Sequence, residues 1–212
     1  MIAPSCDLKS SAHFNSEAEK LENEGKYEEA ILLLDKAIQK DQNNIYALTN
    51  RGIDKSILED YVGSMDDHSK IIEIDPDNTL AFFNRGIAKT NLNDYQGAIV
   101  DFEKAIETKG GETLYIDKVE NSHIDQGVEF DVEMKKIRFE RGLARYHIES
   151  PELAFDDFNF CIEENYNKPT SLYMRGIIHL ILGMKQEGCI DLKEAHKLGE
   201  TYALETITQH CK

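Results

Sequence analysis

The chain has 212 residues, 41% of them apolar, with no tryptophan and only four prolines, a composition that suits a helical protein with a continuous apolar seam. Its 40 acidic side chains against 24 basic ones leave a net charge of −16, which argues against nucleic acid or an anionic membrane as a ligand, since both need Lys and Arg to replace counterions. The same charge would attract a basic protein, and no run of about 18 apolar residues is present to span a bilayer.

Residues 1–10 read as an amino-terminal tail. Met1-Ile2-Ala3-Pro4-Ser5-Cys6 is faintly like a lipoprotein cleavage site, but no basic segment and apolar stretch precede it, so the start reads as mature and intracellular. From residue 11 a self-similarity with a period of 34 takes over. A small residue recurs at Ala18, Gly52, Gly86, Gly142 and Gly176, and another follows twelve places later at Ala30, Ser64, Ala98, Ala154 and Gly188. Both series step by 34, 34, 56 and 34, which makes five two-helix units with 22 extra residues after the third. Small side chains at matched places let two antiparallel helices approach closely. Bulky ones fill the remaining seam: Phe14, Leu48, Phe82 and Leu172 in first helices, then Leu34, Phe102, Phe158 and Leu192 in second helices. Glu24-Gly25-Lys26, Glu59-Asp60, Asn93-Asp94 and Ser150-Pro151 mark turns inside the units, and Asp75-Pro76 separates two neighbours.

Repeats 1–3 thus occupy 11–112 and repeats 4–5 occupy 135–200, on either side of an insertion at 113–134. In that insertion 113–119 and 127–132 alternate apolar and polar residues, with a turn-like stretch at 121–126 between them, which reads as a β-hairpin. Residues 201–212 read as one more amphipathic helix, a cap over the last unit, and a short tail.

A second regularity concerns charge. Arg51, Arg85, Arg141 and Arg175 each precede a repeat glycine, and Asp67, Asp101, Asp157 and Asp191 follow them by sixteen residues. The first unit lacks both partners, with Glu17 and Leu33 in those places, so the spacing predicts an ion pair between the two helices of a unit and makes these arginines scaffold. The four cysteines, Cys6, Cys161, Cys189 and Cys211, form no CxxC pair and no disulfide framework, and are expected to be reduced thiols in a cytoplasmic protein. The seven histidines are scattered, with no HExxH, and there is no Walker loop or GxSxG elbow. No metal, no cofactor and no catalytic residue is expected.

Gly86, Tyr95, Ala98, Phe102 and Ala105 fall at the signature spacings of the tetratricopeptide repeat, and the chain resembles that family over about 11–112 and 135–200. The ending around Ala195, Leu198-Gly199 and Cys211 resembles bacterial members with a Sel1-like carboxyl end. The resemblance implies an all-α, right-handed superhelical solenoid of five helix pairs plus a carboxyl-terminal capping helix. Departures occur at Glu17 and Ala18, at Pro151 in place of the turn tyrosine, and at His68 and Ile71, where an aromatic and an alanine are usual. A buried His68 would be expected to find a hydrogen-bond partner.

The resemblance also implies that the first helices line a concave groove. Its lining would include Tyr46, Thr49 and Ile53, then Leu80, Phe83, Ile87 and Thr90, then Phe139, Leu143, Tyr146 and His147, and finally Tyr173 and Ile177. Asn50 and Asn84 stand beside them, where members of the family use asparagine to hold a peptide backbone. The clamp by which a chaperone-binding branch holds a carboxylate would fall on Asn15, Glu19, Asn50, Leu80 and Asn84, and only one of its asparagines remains. The expected function is non-catalytic binding of another protein, through a basic or amphipathic segment with aromatic anchors in the groove. An immunity-type inhibitor of a basic toxin, such as a nuclease, is the alternative. An enzyme or metal protein is disfavoured, and the oligomeric state is open.

Overall fold

The computed structural model describes residues 9–108, 114–115, 128–129, 132–148 and 150–212. They form eleven helices: α1 (Ser11–Asn23), α2 (Tyr27–Lys40), α3 (Ile45–Ile57), α4 (Tyr61–Ile74), α5 (Thr79–Asn91), α6 (Tyr95–Glu107), α7 (Met134–His147), α8 (Pro151–Glu163), α9 (Lys168–Ile181), α10 (Lys185–Lys197) and α11 (Ala203–His210). The all-helical repeat architecture read from the sequence is what the chain adopts. Within the insertion, β1 (Leu114–Tyr115) and β2 (Val128–Glu129) pair antiparallel, with Leu114 opposite Glu129 and Tyr115 opposite Val128. The remainder of the expected hairpin lies outside the described residues.

The described residues fall into two compact units. One holds α1–α5 with β1 and β2, and the other holds α6–α11. In each, consecutive helices lie against one another, and apart from α6 and α7, which flank the insertion, short connections make them antiparallel neighbours.

Local chemistry sets where each helix begins. Asn44 and Asn78 cap first helices, their Oδ1 atoms accepting from the backbone N–H of Ala47 at 2.9 Å and of Ala81 at 2.8 Å. Asp60 and Asp94 cap second helices through the N–H of Gly63 at 2.9 Å and of Gly97 at 3.0 Å. Each bond satisfies one of the donors that a helix start leaves without a partner. The turn just before these second helices uses a left-handed residue at Gly25, Glu59 and Asn93, again 34 apart.

The small-residue slots do what their spacing suggests. A Cβ on Gly176 would come within 2.8 Å of Leu192 Cγ and 3.1 Å of the Gly188 carbonyl oxygen, so α9 and α10 cross with almost no side chain between them. In the first unit Phe14, Ala18, Ala30, Leu34, Ala37 and Ala47 make one core cluster, and Leu48, Ile71 and Ala81 continue it. In the second unit Phe139, Ala154, Phe158, Cys161 and Ile178 form a cluster, followed by Leu172, Leu192, Ala195 and Ala203.

The charge regularity closes as bidentate pairs. Arg51 donates to Asp67 at 2.5 and 3.0 Å, Arg141 to Asp157 at 2.6 and 3.0 Å, and Arg175 to Asp191 at 2.7 and 2.8 Å. A second side chain, one turn further along the first helix, approaches each aspartate: Lys55 and Arg145 at 2.8 Å, and the His179 ring at 3.1 Å. The arginines also reach back sixteen residues to the preceding second helix, Arg51 to Asp35 at 2.6 Å, Arg85 to Ser69 at 3.2 Å and Arg175 to Asn159 at 2.6 Å.

Two sequence expectations are corrected. Cys189 and Cys211 are joined in a disulfide, with Cα atoms 5.6 Å apart, because α11 folds back along α10 and brings residues 22 apart together. Cys161 is the buried free thiol, pushed up to about 12 by burial, with the charge of Asp157 adding. His68 is buried, yet neither ring nitrogen has a partner. Its ring lies where a Cβ on residue 52 would be, 2.8 Å from that position, so Gly52 provides the room that the flat ring fills. Burial pushes its pKa down to about 4, so it sits there neutral.

Candidate partner-binding face

The candidate residues sit on first helices at spacings of three and four, which places them on one face of each helix. In the first unit, α3 carries Tyr46, Thr49, Asn50 and Ile53, and α5, which touches α3, carries Phe83, Asn84 and Ile87. Tyr46, Ile53, Phe83 and Ile87 are half-buried, the state expected of side chains on a surface that a ligand could cover. Thr49 and Asn50 lie deeper and are buried, so they serve the seam between helices. Asn84 is half-buried, and its side-chain nitrogen is shut off from solvent with no partner.

In the second unit, Leu143 and Tyr146 on α7 and Tyr173 and Ile177 on α9 are half-buried against the two core clusters. His147, also on α7, stacks on Tyr95 with ring centres 4.4 Å apart. Phe139 is different. It is 7% exposed and sits edge-on to both Phe158 and Tyr166, at 6.1 and 5.8 Å between centroids. Tyr166 belongs to the linker between α8 and α9, where Asn165 and Asn167 are left-handed, and its ring is what closes over Phe139. As a core side chain Phe139 is in no position to anchor a partner.

One polar feature of the first unit joins Asn15, named from the sequence only as a clamp position, to two acids that were not singled out there. Asn15 on α1 is buried with neither side-chain atom satisfied, and Glu22 Oε1 on α1 and Asp54 Oδ2 on α3 are buried without partners. Burial pushes the Asp54 carboxyl up to about 7, with the charge of Glu22 adding, and burial raises Glu22 as well, with Glu19 adding. On α7, burial likewise raises Glu140. These acids are therefore held toward their neutral forms. The signal was present in the repeat: the slot of Asp54 holds Ala88, Ala144 and Ile178 in the later units.

Paired antiparallel helices with small-residue crossings define a helical-repeat fold of the tetratricopeptide type. Residues 80–110 match the tetratricopeptide repeat family. MamA shares the fold with a TM-score of 0.71 at 18% identity, over 88% of this chain and 96% of that one. YrrB, described as a tetratricopeptide-repeat protein with an unusual peptide-binding site, gives 0.72 at 17% identity over 92% and 90%. PilF of Pseudomonas aeruginosa gives 0.67 at 15% identity over 89% and 76%. No curated protein matches the chain in sequence. This is a tetratricopeptide-repeat fold, and among the described residues no helix is long and apolar enough to cross a membrane.

Proposed function

We propose that the chain is a non-catalytic protein-interaction module whose first-helix faces bind a segment of another protein. The observation that carries this reading is the row of half-buried aromatic and branched side chains: Tyr46, Phe83 and Ile87 in one unit, and Leu143, Tyr146, Tyr173 and Ile177 in the other. Rigid aromatic side chains with part of their surface already buried bind at low entropic cost and make effective anchors. The peptide-binding description of YrrB, a protein of the same fold, supports the reading. Half-buried Asn84 contributes a polar side chain beside the anchors, while Thr49 and Asn50 hold the helices behind them.

The net charge of −16 favours a basic partner segment. It also keeps the immunity-type inhibitor as the second reading, in which a folded basic toxin such as a nuclease is covered. The Cys189–Cys211 bond counts against the cytoplasmic placing expected from the sequence, because structural disulfides form and persist in oxidising compartments.

The test recovers partners from an extract of the native source with the wild-type chain, then titrates the recovered partner against Phe83→Ala and, separately, Tyr173→Ala. Each should weaken binding by about 10-fold or more, the loss typical of an anchor worth over 1 kcal/mol, with helical content unchanged. Unchanged affinity in both would remove the first-helix faces as the site. Micromolar binding of an isolated segment identifies a scaffold or adaptor, and nanomolar binding of the folded partner alone identifies an inhibitor.

A further inference from the structure

The carboxyl end of the second unit holds a covalent feature that partner binding does not require. Cys189 stands in the second turn of α10, and Cys211 directly follows α11, so the disulfide ties the far end of the last helix to the repeat it covers. The rest of that attachment is slight. The helix has eight residues, Ala203 is fully buried, and Ile207 is half-buried against the cluster of Leu172, Leu192 and Ala195. A helix of eight residues is marginal unless something pins it. Beside the bond opens a depression of about 490 Å³ whose wall includes both cysteines together with Lys185, Lys193 and Lys212. Three lysines around one opening reverse the local sign of a chain whose net charge is −16.

We propose that Cys189–Cys211 is a thiol–disulfide exchange site that latches the cap helix, opened by a small anionic thiol and closed by the disulfide of that thiol. The thiolate enters through the depression and attacks Sγ of Cys211, the more exposed of the two residues. A bond forms between the incoming sulfur and Cys211. The Cys189–Cys211 bond breaks, and Cys189 leaves with the electron pair and takes a proton from water. A second molecule of the thiol then attacks the small-molecule sulfur of the mixed disulfide, which frees Cys211 as a thiol. Two small thiols are oxidised to one disulfide and the protein bond is reduced, a transfer of two electrons. The lysines raise the local concentration of an anionic attacker. Once released, α11 can leave the face formed by Leu172, Leu192 and Ala195.

The full chain is equilibrated with glutathione at graded ratios of reduced to oxidised form and alkylated. Peptide mass mapping then tells Cys189 and Cys211 from Cys6 and Cys161. Hydrogen exchange is followed on the same samples. Reduction should accelerate amide exchange in 203–210 by roughly 100-fold while leaving α7 and α8 unchanged, and Cys189→Ser with Cys211→Ser should reproduce the reduced pattern. Lys185→Gln with Lys193→Gln should slow opening by glutathione by about 3- to 10-fold and leave opening by neutral 2-mercaptoethanol unchanged. Three results would overturn the proposal: no bond at any ratio, a bond whose opening leaves 203–210 as protected as before, or lysine variants that affect neither thiol.

Discussion

Asp54 shows how a single residue can set a protein against itself. It occupies a slot that the later units fill with Ala88, Ala144 and Ile178, it is 2% exposed, and one carboxylate oxygen has no partner. Its folded pKa of about 7 lies above its ordinary value of 3.8, so folding favours the protonated form. The stabilisation is complete below the ordinary value and is lost as pH rises through about 7. Asp54→Asn should therefore equal the wild type near pH 4 and exceed it at pH 8 by roughly 2–4 kcal/mol, read from urea unfolding at both pH values. Equal stability at pH 8 would mean that the carboxylate finds solvent or a counter-ion in the folded chain. His68 carries the opposite sign. With a folded pKa of about 4 against an ordinary 6.5, its contribution is full above 6.5 and is lost as pH falls toward 4, equally in both chains being compared.

Among elements, the ion pairs act as the joints of the helix hairpins. Asp157 is fully buried and holds Arg141 and Arg145 from α7 while belonging to α8. Removing it leaves two guanidinium groups against a dry seam, so Asp157→Ala should cost about 3–5 kcal/mol, seen as a fall in the urea midpoint of the second unit. Glu107→Ala, which breaks an exposed pair with Lys104, should leave that midpoint in place. A fall of equal size in both would show that pairing, rather than burial, carries the energy. The Arg–Asp spacing was legible in the sequence because the partners appear together in four units and are missing together from the first. The second side chain at each aspartate was not, since Lys55, Arg145 and His179 differ in type and no single letter recurs. Phe139 was misread for a related reason: its slot faces outward in the repeat pattern, but the linker residue Tyr166, which has no fixed place in that pattern, covers it. The disulfide escaped notice because it depends on α11 folding back, and a separation of 22 residues says nothing about that.

For the whole molecule, the repeat period determined the order and pairing of the helices, while the surface was set by composition. A net charge of −16 acts over about 8 Å at physiological salt and so influences approach more than the final contact. Association with a basic partner should slow by about 10-fold or more between 50 and 500 mM salt, with dissociation changing little, as followed by stopped-flow or surface-immobilised kinetics. Salt-independent association would reduce the charge to a role in solubility.

The backward reach of the arginines has a practical consequence for anyone shortening or shuffling the chain. Backbone cuts between helix pairs fall in short linkers and look harmless. Yet Arg51 in α3 is held partly by Asp35 in α2, and Arg175 in α9 by Asn159 in α8. A fragment that starts at α3 keeps every residue of its own hairpins and loses one of the three hydrogen bonds of its first arginine. At Arg51, Arg85 and Arg175 the modular seam therefore lies inside the preceding second helix, out of phase with the sequence period.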